Sequence, residues 1–517
     1  MKLKHPSLVS QGSLNRIFEA VNESWKRCDF QTAIETMERA SRLNPSNAGI
    51  LLDLGRMYGL RHDYAAAERC FEKAIHIAPQ KTEVLSAAGF QSRDFGNFVM
   101  AENYYLRAIQ QKNVTPEIIV QLAKLYERLR RTKDAADMVE KALKLNNACP
   151  EALLTRARLE RQAGHLNEAE QLIRSFLGKK NADTWVYAQA WYELGGILDR
   201  QGRYDDAMST FLEAKALLRP NASPLFDQLQ LSRKHLKQMQ NDISAEMLQR
   251  WFNSATHLQS FHRLTLLGGH PRSGTTLLEQ VLDSHPDIVS VEETTIFHDD
   301  AYVPLQHSFP SETAILSFLE LAQTETLQQS RANYFRSVEK FLGNSIGERL
   351  LIDKNPSLTF LIPPLIRIFP EIKLLIALRD PRDVVLSCFM QSIQLGQVSS
   401  AYLSLENTIN EYVAMMSLWQ TIAPMVKGHY LEVRYEDMVD DLESVARKSL
   451  DFLGVAWNAR VLGFDEHARQ KVVRSPTYAD VTQPVYKRAR GRWRNYQKYL
   501  EPYLEKLELF VKAFGYE

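Results

Sequence analysis

The hydrophobic rhythm of the chain changes once. In the first part alanines recur at Ala33, Ala67, Ala101, Ala135 and Ala169, each step 34 residues, and Ala207 follows after 38. Four positions after each stands a larger side chain: Met37, Phe71, Tyr105, Val139, Ile173 and Phe211. Three further on come Ala40, Ala74, Ala108, Ala142, Phe176 and Ala214. Gly55, Gly89, Ala123, Ala157 and Gly195 keep the same register on a preceding helix. The pattern predicts six helix pairs from about residue 14 to 218. Small residues let paired helices approach, and the bulky ones fill the groove between them. The longer last step falls in GKKNADTW, a longer loop, and Pro45 and Pro79 punctuate two units. From 219 to 259 the pattern stays helical but leaves the register. It predicts a capping helix and connector, with Leu225, Phe226, Leu229 and Leu231 on the buried face.

From about residue 260 short apolar runs alternate with helical stretches. Candidate strands are LTLLGG at 264–269, RLLID at 349–353, IKLLIAL at 372–378 and YLEVRYE at 430–436. This alternation predicts a mostly parallel sheet covered by helices, with ligands bound beyond the carboxyl ends of the strands. Arg272 follows the first run, and Asp353 and Lys354 follow the second. Arg379 follows the third, and Tyr435 and Glu436 end the fourth. The expected fold is therefore an all-helical repeat superhelix over 14–218, then a P-loop-like α/β domain over 260–517.

The stretch Leu264–Glu293 organises this second part. A strand, a glycine-containing turn and the helix start TTLLEQVL make an anion cradle, because the first amides of a helix and its dipole favour negative charge. From Gly269 to Gly274 the spacing is that of a nucleotide P-loop, but Thr275 stands where a triphosphate motif has lysine. That departure points to a ligand with one phosphate in the cradle and a different group to transfer.

Composition narrows the picture. Hydrophobic residues make up 45% and charged ones 24%, ordinary for a globular protein. The net charge of +1 gives no global attraction to nucleic acid or anionic membrane, so any anion site must be local. The four cysteines, Cys28, Cys70, Cys149 and Cys388, show no disulfide-framework spacing and suit a reducing compartment. The N-terminus lacks a signal-peptide core and no run is long and apolar enough to span a membrane, so a cytoplasmic location is expected.

On these residues the 34-residue array resembles the tetratricopeptide repeat. That likeness implies a concave groove that binds a protein or peptide, and it is compatible with homo-oligomers. PRSGTTLLEQVLDSHP resembles the 5′-phosphosulfate loop of the sulfotransferase family. LRDPRDVVLS, with Arg379 and Ser387 eight apart, resembles its 3′-phosphate element. The likeness is to protein-tyrosine sulfotransferases. It extends through VRYEDMV, EET at 292–294, DKNP at 353–356 and PTYADVTQPVYKRARGRW, and so covers about 260–495.

The resemblance implies 3′-phosphoadenosine 5′-phosphosulfate as donor and a hydroxyl as acceptor. Arg272, Ser273, Gly274, Thr275 and Thr276 would hold the 5′-phosphate; Arg379 and Ser387 would hold the 3′-phosphate. Glu293 would be the general base, with His298 a second candidate. Lys354 would stabilise charge on the leaving oxygen, assisted by Thr477, where the family has a serine. Tyr435 and Arg492 would contact the donor, and the loop Tyr478–Lys487 would close over it, with Trp493 packed beneath. No metal is required, and no His/Cys/Asp cluster shows ligand spacing along the chain. The family's second 3′-phosphate arginine corresponds to Gln391, and its peptide-gripping arginines to Thr295 and Asp299. The likeness therefore carries to the donor more than to an acidic tyrosine peptide. The alternatives are a P-loop kinase and a non-enzymatic repeat scaffold.

Overall fold

The computed structural model describes residues 11–78, 81–178, 182–259, 262–310, 312–392, 394–470 and 487–516. Pro79, Asn181 and the middle of the GKKNADTW loop lie outside them, as do Thr477 and the segment from Tyr478 to Tyr486. Contacts divide the chain into two compact units. The first takes in the chain to Ala163 together with Ile296–Ser308 and Asn333–Asn344. The second comprises Gly164–Thr295, Phe309–Ala332 and the chain from Ser345 onward.

The first unit holds helices α1 (Gln11–Lys26), α2 (Phe30–Leu43), α3 (Ala48–Leu60), α4 (Tyr64–Ile77), α5 (Lys81–Asp94), α6 (Phe98–Ile109), α7 (Pro116–Arg128), α8 (Thr132–Leu145) and α9 (Pro150–Ala163). The second opens with α10 (Leu166–Leu177), α11 (Thr184–Arg200) and α12 (Tyr204–Leu218). The repeated small residues are where the pattern puts them. All six register alanines, from Ala33 to Ala207, are fully buried. A Cβ added at Gly55 would lie 2.4 Å from the ring of Phe71, at Gly89 2.8 Å from Tyr105, and at Gly195 2.6 Å from Phe211. The large residue at the fourth position thus lies against the small residue of its partner helix, so the two positions are one packing device. Starts repeat as well: Asp29, Asn47, Asp63 and Asn97 each accept a backbone N–H at the head of a helix.

In the second unit α13 (Ser223–Asp242) and α14 (Ala245–Asn253) follow the repeats. On α13 Leu229 and Met239 are buried, Leu225 and Phe226 are half-buried, and Leu231 is 57% exposed. Leu231 was expected on the covered face. It lies two residues from Leu229, about 200° around the helix, and so turns outward. Lys215 of α12 is fully buried. It donates to the Tyr402 carbonyl at 2.6 Å and to the Tyr192 hydroxyl at 3.2 Å, and its ammonium lies 4.2 Å from the Phe389 ring centre. Burial, with the charge of Arg219, pushes its pKa down to about 7.

The sheet has five parallel strands in the order β2–β3–β1–β4–β5. These are β1 (Leu264–Gly269), β2 (Ile288–Glu292), β3 (Leu350–Lys354), β4 (Lys373–Leu378) and β5 (Tyr430–Arg434). Four match the apolar runs of the sequence; β2, an edge strand, was not anticipated. The fourth run stops earlier than expected, because Tyr435 and Glu436 already belong to the helix Tyr435–Asp440. Between β1 and β2 lies α15 (Thr275–Asp283), whose Leu278, Val281 and Leu282 pack with Leu267, Ile352 and Leu375 of the sheet. The fold is the expected one: tetratricopeptide-like helices, then a parallel α/β sheet.

Candidate functional site at the strand ends

Every strand of the sheet delivers a candidate residue at its carboxyl end. β1 leads into the loop Gly269–Gly274, which backbone strain and close contact shape. Gly269 has φ +117°, and a Cβ there would lie 2.3 Å from the Ala377 carbonyl of β4. Only glycine fits. Its N–H donates to Thr359 Oγ1 at 2.8 Å, and that hydroxyl donates back to the Gly269 carbonyl at 3.0 Å. Ser273 donates through both its amide (3.1 Å) and its hydroxyl (2.7 Å) to the His270 carbonyl. The Ser273 amide, expected to face a ligand, is thus spent closing the turn. Gly274, at φ +98°, precedes the first turn of α15, and a Cβ on it would lie 2.8 Å from Tyr435 Cδ2. Thr275 and Thr276 are buried in that first turn.

His270 is fully buried behind the loop. Its Nδ1 lies 2.9 Å from the Pro271 carbonyl, and its Nε2 has no hydrogen-bond partner among the described residues. Burial pushes its pKa down to about 4, so the ring is neutral at neutral pH.

The elements read as separate 5′- and 3′-phosphate holders touch each other. Arg272, itself at φ +74°, donates from Nε to Ser387 Oγ at 3.1 Å. Its carbonyl accepts from Arg379 at 3.2 Å. Arg379 follows β4, is buried, lies 4.9 Å over the Tyr435 ring, and also donates to the Ala489 carbonyl. Its Nε has no hydrogen-bond partner among the described residues. Asp383, one helical turn after Arg379, lies 3.9 Å from it. Buried in the helix Pro381–Met390, it accepts instead the amides of Gly491 at 2.6 Å and Trp493 at 2.8 Å. That clamp sets Arg492, whose guanidinium pairs with Asp199 of α11 at 2.7 Å; Tyr496 donates to the same carboxylate at 2.7 Å. Trp493 is buried, with Arg382 4.2 Å over its ring. Gln391 caps the end of the Pro381–Met390 helix.

On the other side of β1, Lys354 ends β3 in register with Glu292 of β2. Lys354 is 0% exposed. Its ammonium lies 2.7 Å from Glu293, 3.1 Å from Glu292 and 3.6 Å from Glu279 of α15. Burial opposes its charge, but the three carboxylates outweigh burial and hold its pKa above the usual lysine range. Glu293 is the exposed member, 38% accessible, at φ +50°, with its amide bonded to the Lys354 carbonyl at 2.7 Å. Glu279 is fully buried and accepts from Ser290 at 2.8 Å. Nothing in the sequence assigns a role to Glu279 or Glu292; the structure makes both buried partners of the lysine. The alternation in IVSVE was the available signal for β2. His298 sits in the first unit, bonded to Asp299 at 2.7 Å. Thr477 lies outside the described residues.

A parallel sheet with a glycine loop on its central strand, after paired helices of 34-residue period, is the build of a repeat protein carrying a P-loop-like α/β domain. Residues 265–459 match the model of the sulfotransferase family, and residues 18–82, 120–184 and 154–222 that of the tetratricopeptide repeat. Both likenesses read from the sequence hold. An uncharacterized protein of Aquifex aeolicus (strain VF5) is 22% identical over 96% of this chain and 68% of its own. The protein-tyrosine sulfotransferase of Drosophila melanogaster is 28% identical over 49% of this chain and 52% of its own, so the match spans about half of that relative. Among solved structures, the sulfotransferase domain of the Synechococcus PCC 7002 olefin synthase is 22% identical, covering 50% of this chain and 97% of its own, with a TM-score of 0.36. Among the described residues no helix is long and apolar enough to cross a membrane.

Proposed function

We propose that this protein transfers the sulfuryl group of 3′-phosphoadenosine 5′-phosphosulfate to a hydroxyl on a peptide tyrosine, a carbohydrate or a small molecule. The observation that carries the reading is the Glu293–Lys354 pair, 2.7 Å apart at the ends of β2 and β3. A carboxylate open to solvent beside a wholly buried cation, next to an anion loop on β1, suits a reaction that takes a proton from one oxygen and builds charge on another.

In this reading the start of α15 and Arg272 hold the 5′-phosphate. Arg379 and Ser387 hold the 3′-phosphate, and the buried Arg379 Nε, with no hydrogen-bond partner among the described residues, fits a group that takes an anion. Tyr435 and Arg492 contact the nucleotide. The acceptor oxygen attacks sulfur in line, the bond from sulfur to the bridging oxygen breaks, and the acceptor proton passes to Glu293. The nucleoside bisphosphate leaves with the bridging oxygen's charge, which Lys354 and Thr477 stabilise. No metal takes part in the step. The repeats bind a protein or peptide partner or a second copy of the chain, and the protein works in the cytoplasm.

The test is calorimetric titration with 3′-phosphoadenosine 5′-phosphate beside 5′-AMP and ATP. Binding should need the 3′-phosphate. Losing the charge-assisted bonds of Arg379 is worth about 1.5–3 kcal/mol, so Arg379→Ala should weaken it about 10- to 150-fold. Equal binding of ATP with magnesium-dependent turnover would favour a kinase; no nucleotide binding would favour a scaffold.

A further inference from the structure

Within the first unit, two segments far apart in sequence meet at one point. Cys28 sits in the turn between α1 and α2, and His298 and Asp299 sit in the wide helical turn Phe297–Tyr302. Cys28 Sγ donates to Asp299 Oδ1 at 3.7 Å, and His298 Nδ1 lies 2.7 Å from the same oxygen. A thiol, an imidazole nitrogen and a carboxylate oxygen thus lie within 4.8 Å of one another. We propose that Cys28, His298 and Asp299 form a zinc site with its fourth position open to water.

The donor set decides the metal class. Magnesium and calcium take oxygen ligands, whereas sulfur, nitrogen and oxygen together suit zinc. Tetrahedral bonds of about 2.0–2.3 Å separate a sulfur from an oxygen ligand by about 3.6 Å and a nitrogen from an oxygen ligand by about 3.4 Å. The sulfur–oxygen distance already agrees; the imidazole and carboxylate need to part by about 0.7 Å, exchanging their mutual hydrogen bond for two bonds to the ion. Coordination sends the thiol proton to solvent. The Cys28 thiol is half-buried and His298 is 49% exposed, which leaves a route for the ion and room for a water.

One arginine holds both ligand-bearing segments in place. Arg61 stacks 4.1 Å over the ring of Phe30, two residues from Cys28, and pairs with Asp300, next to Asp299. The ligands therefore stand on braced backbone. Bound zinc would clip the first repeat corner to the segment that follows Glu293 in the chain. Ligand numbers 28, 298 and 299 form no local motif, which is why spacing along the chain conceals the site.

The test uses the full chain, stripped with chelator, incubated with zinc alone and desalted before metal analysis. Wild type should retain about one zinc per chain, Cys28→Ser and His298→Gln each less than about a tenth of that, and Cys70→Ser the wild-type amount. In parallel, cobalt(II) should give wild type the visible absorption of a tetrahedral ion and a near-ultraviolet thiolate-to-cobalt band. Absence of that band, or zinc retention unchanged in Cys28→Ser and His298→Gln, would overturn the proposal. The cobalt spectrum decides the question in wild type even where a variant fails to fold.

Discussion

Lys354→Met removes the lysine that lies among three carboxylates while keeping the side-chain volume. The ammonium lies 2.7–3.6 Å from Glu293, Glu292 and Glu279. At an effective dielectric of about 20, each such contact is worth about 5 kcal/mol gross. Desolvation of a fully buried lysine consumes much of this, yet breaking a buried pair from one side still costs about 3–5 kcal/mol, because charge is stranded. Unfolding in urea, followed by tryptophan fluorescence, would measure the loss; every tryptophan except Trp25 lies in the second unit. The variant should lose about 3–5 kcal/mol near pH 7.5 and regain part of it near pH 5.5. The sign follows from proton binding. Stranded buried carboxylates bind protons more readily folded than unfolded, so stability rises as pH falls. Wild type shows no such trend from Lys354. Its raised pKa keeps its contribution whole below the ordinary lysine value and removes it only as pH climbs through the folded value. Adding Glu279→Gln should restore about 1–3 kcal/mol to Lys354→Met, yet destabilise wild type. A Lys354→Met protein within about 1 kcal/mol of wild type, or one less stable at the lower pH, would refute the account of the cluster.

Glu293→Gln should lower turnover about 10²- to 10⁴-fold and leave nucleotide binding by calorimetry within a few-fold; unchanged turnover would remove Glu293 as the base. Gly269→Ala should cost about 3 kcal/mol or more in urea unfolding, since its Cβ would sit 2.3 Å from a backbone carbonyl at φ +117°. His270, with a pKa near 4 in the fold, makes the protein acid-sensitive. Its neutral ring costs nothing above about pH 6.5, and about 3 kcal/mol is lost as pH falls toward 4; His270→Val should flatten that part of the stability profile.

Much of this was legible in the chain. The 34-residue register named the buried alanines and their large partners, because repeat packing is local and periodic. Three strand runs, β1, β3 and β4, were visible because a parallel strand buried on both faces is continuously apolar; the fourth, β5, is a half-buried edge strand, visible from its alternation. What stayed hidden depends on contacts between distant segments. β2 is short and at the sheet edge. Glu279 looks like a polar-face residue of TTLLEQVL, and the lysine at the end of β3, two strands on, explains its burial. Arg272 and Ser387 are read from separate motifs, yet bond each other. Asp199 lies in a repeat helix and gives no sign that Arg492 will bind it.

That last contact, with Lys215, bears on how the chain can be recombined. A piece begun at residue 260 would lose both the carboxylate that holds Arg492 and Tyr496 and the ammonium seated on the Tyr402 carbonyl. It is expected to express poorly beside one begun near Gly164. Exchange of repeats between proteins of this build is thus easiest between the first corners, which Arg61 and Cys28 tie to Asp300 and Asp299, and residue 164. Helix α10 and the last helix pair, α11 and α12, travel with the sheet, as its shell rather than as interchangeable units.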